Sequence, residues 1–147
     1  MENKTFILNR EIKAFVNNSI DSYRTSISTN FINAIRIFLN ARGFILFVDE
    51  NSNFKGYLDM VDLEQINKIA EGEDSKKSIE ILINENKLKL RNKILHSTDK
   101  ISKAINFFDE NNQLYFPVYN PLGNLLGRTS LSIIKKRVKE LYGVEVV

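Results

Sequence analysis

The chain has 147 residues, of which 43% are hydrophobic and 27% charged, with ten phenylalanines and a formal net charge of +3. That much apolar surface suits a packed core and excludes a disordered chain; no apolar run approaches the ~20 residues of a membrane span, and the first ten residues lack the basic-then-apolar order of a secretory leader. With no cysteine and a single histidine, His96, the composition also excludes disulfides, thiolate chemistry and a multi-histidine metal centre, and the expected setting is cytoplasmic.

Taken in chain order, residues 1–19 form an N-terminal helical segment in which Ile12, Phe15 and Val16 make a short apolar stripe, expected to dock on the core. Ser28, Thr29 and Asn30 then offer a helix cap, and Phe31, Ala34, Ile35 and Phe38 recur at i, i+3, i+4, i+7, the face of a short amphipathic helix. Phe44 to Val48 is an apolar run of strand length, Asp49 to Asn53 is rich in turn formers, and Phe54 to Leu58 closes a hairpin. A second helix is predicted from Asp59 to Glu71. Residues 72–93 read as a linker, polar at its start, with a helix-like piece from Ser78 to Ile83 and a short strand near Ile94.

The pattern then repeats. Ile101, Ala104, Ile105 and Phe108 restate the first helix seventy residues on, after a second capping cluster at Ser97, Thr98 and Asp99. Leu114 to Val118, the turn Asn120 to Asn124, the strand Leu125 to Thr129 and a helix from Ser130 to Tyr142 complete the second copy. The expected fold is therefore α+β: a pseudo-symmetric pair of β-α-β-β-α repeats, 20–71 and 94–143, packed sheet to sheet because neither small sheet can bury both faces alone.

Phe116-Pro117-Val118 with Gly123-Asn124-Leu125-Leu126-Gly127, and Val48-Asp49-Glu50 leading through Phe54-Lys55-Gly56 to Asp62-Leu63, carry a family resemblance. Over residues 20–143 the chain resembles the tandem cystathionine-β-synthase (CBS) domain pair, or Bateman module. The resemblance implies a regulatory ligand sensor without chemistry of its own. It also implies AMP, ADP, ATP or S-adenosylmethionine bound in clefts between the repeats, and a homodimer. In the family motif Gly-x-x-Thr/Ser-x-x-Asp, the hydroxyl and the first helical N–H groups suit a phosphate, and the Asp one turn on suits the ribose hydroxyls.

Copy one reads Gly56-Tyr57-Leu58-Asp59-Met60-Val61-Asp62, placing Asp62 at the ribose position and Asp59 at the hydroxyl position, where its charge favours a neutral or cationic nucleoside-like ligand, or an empty cleft. Copy two reads Gly127-Arg128-Thr129-Ser130-Leu131-Ser132-Ile133, keeping Ser130, adding Arg128 as a phosphate cation and replacing the ribose acceptor by Ile133. Strand residues Ile45 and Phe47, and Tyr115 and Pro117, are candidates to enclose a base; their alternative role is ordinary core.

His96 reads as an exposed residue, and Lys135, Lys136, Arg137 and Lys139 read as the solvated face of an amphipathic helix rather than a nucleic-acid contact. No spacing of acids, hydroxyls and His96 suggests a reaction, so an enzyme is not expected. Two readings follow: an adenosyl sensor acting on a separate or fused effector, or a degenerate pair serving as a dimerisation or protein-interaction scaffold with no small ligand.

Overall fold

A computed structural model describes residues 2–146, with side chains from Lys4 onward. The chain is mixed α/β and divides into two compact units, one of residues 21–92 and one that joins residues 1–20 to 93–147. Its elements in order are α1 (Glu2–Leu8), β1 (Arg24–Ser26), α2 (Phe31–Asn40), β2 (Phe44–Val48), β3 (Phe54–Asp59), α3 (Leu63–Ala70), α4 (Ile79–Asn84), β4 (Leu95–His96), α5 (Ile101–Asn111), β5 (Phe116–Tyr119), β6 (Leu125–Thr129) and α6 (Leu131–Tyr142). Short 3-10 turns at Ile12–Phe15 and Met60–Asp62 matter to the site.

In the unit of residues 21–92, β1 runs parallel to β2 and β2 antiparallel to β3. Strand alternation sends Ile45, Phe47 and Leu58 to one face, where they form a core with Phe31, Ala34 and Phe38 of α2, Ile66 and Ile69 of α3, and Ile79 and Leu82 of α4. The stretch 72–92 is thus packed structure: Leu88 joins the same core, and Asn30 and Ser78 form a bridge. The hairpin turn is organised by Asp49, whose Oδ1 accepts the Asn51 and Asn53 N–H groups at 2.9 Å each. The Asn53 N–H bond is the main reason the Asp49 carboxyl is held below its ordinary pKa.

The other unit repeats the plan. β4 is parallel to β5, β5 antiparallel to β6, and Phe116 and Val118 meet Ile101, Ala104, Phe108, Ile134 and Val138 in the core. Both hairpins carry a register shift at the equivalent place, Phe47/Val48 and Val118/Tyr119. Ile7, Ile12 and Phe15 of the N-terminal segment complete this core.

Several boundaries differ from the sequence expectation. The first strand of the second hairpin starts at Phe116, not Leu114, because the Gln113 side chain donates to the Tyr115 carbonyl at 3.0 Å and takes that acceptor out of the ladder. The helix after the first hairpin opens with a 3-10 turn, since the Asp59 side chain caps Val61 N–H two residues on. Asn30 caps α2 as expected, accepting Asn33 N–H at 2.9 Å. At α5 the cap position falls on Lys100, and Asp99 instead accepts His96 N–H at 2.8 Å. Ile12 and Phe15 lie in one short turn, and Val16 is extended so that Asn17 can pair with Arg128.

Candidate functional site

The motif positions end β3 in one unit and β6 in the other, and each depends on a glycine. Gly56 has φ +135° and Gly127 φ +153°, backbone that side chains disfavour, and both are crossed closely by another segment. A Cβ on Gly56 would lie 2.7 Å from Leu90 Cβ and 2.8 Å from the Arg91 carbonyl oxygen. One on Gly127 would collide with the Asn17 carbonyl oxygen. The two crossings are equivalent: Tyr57 and Arg91 exchange backbone hydrogen bonds at 2.9 Å, and Asn17 and Arg128 do so at 2.8 and 3.0 Å.

At the end of β3, Asp59 is fully buried and Asp62 is 7% exposed. They form a capping box in which Asp59 N–H donates to Asp62 Oδ2 at 2.9 Å. The same Oδ2 accepts Arg91 Nε at 2.9 Å, while among the described residues Oδ1 is met by Gln65 Nε2 alone, at 3.4 Å. Gln65 also grips the backbone of Lys89 through its amide, donating to the carbonyl at 2.9 Å and accepting the N–H at 3.1 Å. Burial works against the Arg91 charge, but the hydrogen bond and charge of Asp62 prevail, and the guanidinium is held above its ordinary pKa. Asp62, Gln65, Lys68, Lys89 and Arg91 line an open pocket of about 600 Å³, a volume within the range of small-molecule sites.

At the end of β6, Ser130 caps α6, its Oγ accepting Ile133 N–H at 3.1 Å. Thr129 Oγ1 donates to the Phe15 carbonyl at 2.6 Å. The Arg128 guanidinium is buried and stacks over the Tyr115 ring at 4.0 Å, with Pro117 opposite Arg128 in the ladder. Three of the residues singled out from sequence, Tyr115, Pro117 and Arg128, therefore share one face. Seventy-one residues earlier the same positions are Phe44, Leu46 and Tyr57, and the cation–ring pair is replaced by a ring–ring pair with centroids 5.4 Å apart. Ile45 and Phe47 lie on the opposite, helix-covered face within the core. Ser130→Ala should cost about 1 kcal/mol through loss of the cap alone. Chemical denaturation measures this, and a loss above about 3 kcal/mol would give the buried hydroxyl a further partner.

The residues missing from the sequence reading are Arg91, Lys89, Gln65 and Lys68. Arg91 is twenty-nine positions from Asp62, in a stretch with no periodicity. Its only outward sign is that it stands in a short extended segment before the second repeat, as Asn17 does before the first. His96 is exposed, and α6 turns Lys135, Lys136, Arg137 and Lys139 outward while Ile134 and Val138 are buried. Among the described residues there is no cluster of three metal-ligating side chains, and no helix is long and apolar enough to cross a membrane.

No family model and no curated protein matches the chain. Solved structures do. A CBS domain pair/ACT domain protein from Thermotoga maritima is 19% identical, with a TM-score of 0.64 over 90% of this chain and 99% of that one. CbpB in complex with c-di-AMP is 10% identical, with a TM-score of 0.67 over 97% and 92% of the two chains. The CBS domain pair of protein MJ0100, in complex with 5′-methylthioadenosine and S-adenosyl-L-methionine, is 14% identical, with a TM-score of 0.66 over 90% and 98%. At these identities the likeness concerns the fold, which is that of a tandem CBS domain pair.

Proposed function

We propose that this chain, a CBS-pair fold, is a regulatory module without chemistry of its own. It binds an adenine nucleotide or adenosyl compound and passes the occupancy to a partner or fused domain. The observation that carries this reading is the pocket at the start of α3, at the sequence position of the family's nucleotide motif, with the buried Asp62 carboxylate in its wall. Asp62 Oδ1, weakly engaged, is the ribose acceptor. Arg128 and Ser130, with Tyr115 and Pro117 beside them, form the corresponding station at the end of β6. Support comes from adenosyl complexes among the matching folds. Regulation then requires only that the ligand bind one conformation of the module better than another.

Thermal shift with AMP, ADP, ATP, S-adenosylmethionine and adenosine tests the reading. A ligand at about one hundred times its dissociation constant adds roughly 2.7 kcal/mol of stability. Asp62→Asn should weaken ribose-bearing ligands by about tenfold or more, the worth of one hydrogen bond to a charged acceptor. No shift with any of the five compounds would end the adenosyl reading.

A second reading, a homodimeric scaffold with no small ligand, is favoured by a different observation. Met60 and Val61 of the 3-10 turn and Leu63 at the start of α3 are 37–40% exposed, apolar side chains of the kind that are covered on association. Sedimentation showing a monomer at all accessible concentrations would remove it.

A further inference from the structure

We propose that the outer edge of Arg91, together with Lys68 and Lys89, is a phosphate subsite, and that the ligand of the Asp62 pocket is therefore phosphorylated. This rests on the adenosyl reading of that pocket and names the ligand class within it.

Arg91 meets Asp62 through Nε alone. Its two terminal nitrogens, with four N–H groups, make no hydrogen bond among the described residues, and the side chain is one-third exposed beside the pocket. An arginine held at Nε by a carboxylate keeps a planar fork of donors in a fixed direction, the geometry that takes two oxygens of a phosphate at once. Lys68 and Lys89 line the same pocket, are exposed, and have no acidic partner among the described residues. Around these three cations stand Asp62, which is paired with Arg91, Glu64 in the pocket wall and the buried Asp59, whose charge also acts on Arg91; Lys68 and Lys89 are the cations without an acidic partner among the described residues.

The backbone beneath the cations is fixed. Gln65 clamps Lys89, and Tyr57 exchanges two hydrogen bonds with Arg91, so the subsite forms without rearrangement of the chain. The usual phosphate station, the free N–H groups at the helix start, is closed in this unit because Asp59 caps Val61 N–H. The charge that a phosphate requires has moved to residues 89–91. In this arrangement Asp62 has two duties, one per oxygen: Oδ2 positions Arg91, and Oδ1 faces the sugar.

Calorimetric titration of AMP and adenosine on the full chain tests this, with inorganic pyrophosphate as a third probe. Wild type should bind AMP at least about tenfold tighter than adenosine, with the advantage falling as salt rises. Arg91→Gln should reduce the AMP-over-adenosine advantage to within about threefold. The exposed double variant K68Q/K89Q, which touches no structural bond, should lose much of it with unchanged melting temperature. Equal affinity of wild type for AMP and adenosine would overturn the phosphate subsite and leave the adenosyl reading standing. Pyrophosphate binding that Arg91→Gln abolishes, with no binding of AMP or adenosine, would keep the subsite and end the adenosyl reading. Silence from all three probes would end both.

Discussion

Deletion of residues 1–20 should unfold the unit completed by residues 93–147 while leaving that of 21–92 folded. The segment places Ile7, Ile12 and Phe15 in the second core at 0–2% exposure. Each such side chain is worth about 1.5–3 kcal/mol, so their joint loss of roughly 5–9 kcal/mol matches the ~5–15 kcal/mol by which domains are usually stable. The deletion also removes the acceptor of Thr129 Oγ1, the Asn17–Arg128 pair and the hydrogen bonds that Ile12 and Ile101 make across the seam. Amide exchange reports the units separately: Val118 and Gly127 should lose protection, whereas Leu46 and Leu58 should keep it. Protection of Val118 at the wild-type level would show that the second unit does not need its N-terminal piece.

Gly127→Val should cost about 3–5 kcal/mol. The conformation at φ +153° strains any side chain by about 1–3 kcal/mol. The new Cβ would collide with the Asn17 carbonyl oxygen, which cannot turn aside because it accepts Arg128 N–H at 3.0 Å. Relief requires residues 16 and 17 to leave the strand edge, forfeiting two hydrogen bonds of about 1 kcal/mol each. At about 2–4 °C per kcal/mol for a chain of this size, the melting temperature should drop by roughly 10 °C. Gly72→Ala is the control. Nothing lies within 4 Å of a Cβ there, and the change should stay within about 0.5 kcal/mol. A similar small loss for Gly127→Val would mean that the segment at 16–17 is not held against β6.

Much of this fold is legible in sequence because its determinants are local. The helices announce themselves by apolar residues three and four apart. The hairpins are marked by Asp49 and Asn120, which organise their turns through the same side-chain bonds to the backbone. Faces are harder. Phe44 to Val48 is a continuous apolar run, and nothing in such a run says which alternate residues meet the helices. Consequently Ile45 and Tyr115, chosen as counterparts, lie on opposite faces: Ile45 corresponds to Phe116, and Tyr115 to Phe44. The two-residue extended pieces at 16–17 and 90–91 are too short for any periodicity, and they supply the partners of both motif glycines. The glycines can be read in the sequence, but the segments that require them cannot. Arg91 is hidden in the sequence for the same reason, since the Tyr57 bridge and the Gln65 clamp on Lys89 bring it to Asp62.

The division of the chain has a consequence for its synthesis. Residues 21–92 are contiguous and can fold as soon as they emerge, whereas residues 1–20, made first, complete a core whose α6 ends at Tyr142. At roughly 5–20 residues per second, the leading segment waits about 6–24 s for its partner strands. During that interval Ile7, Ile12 and Phe15 are apolar surface open to a chaperone, and slowing translation should lengthen the time for which a nascent chain can be captured there.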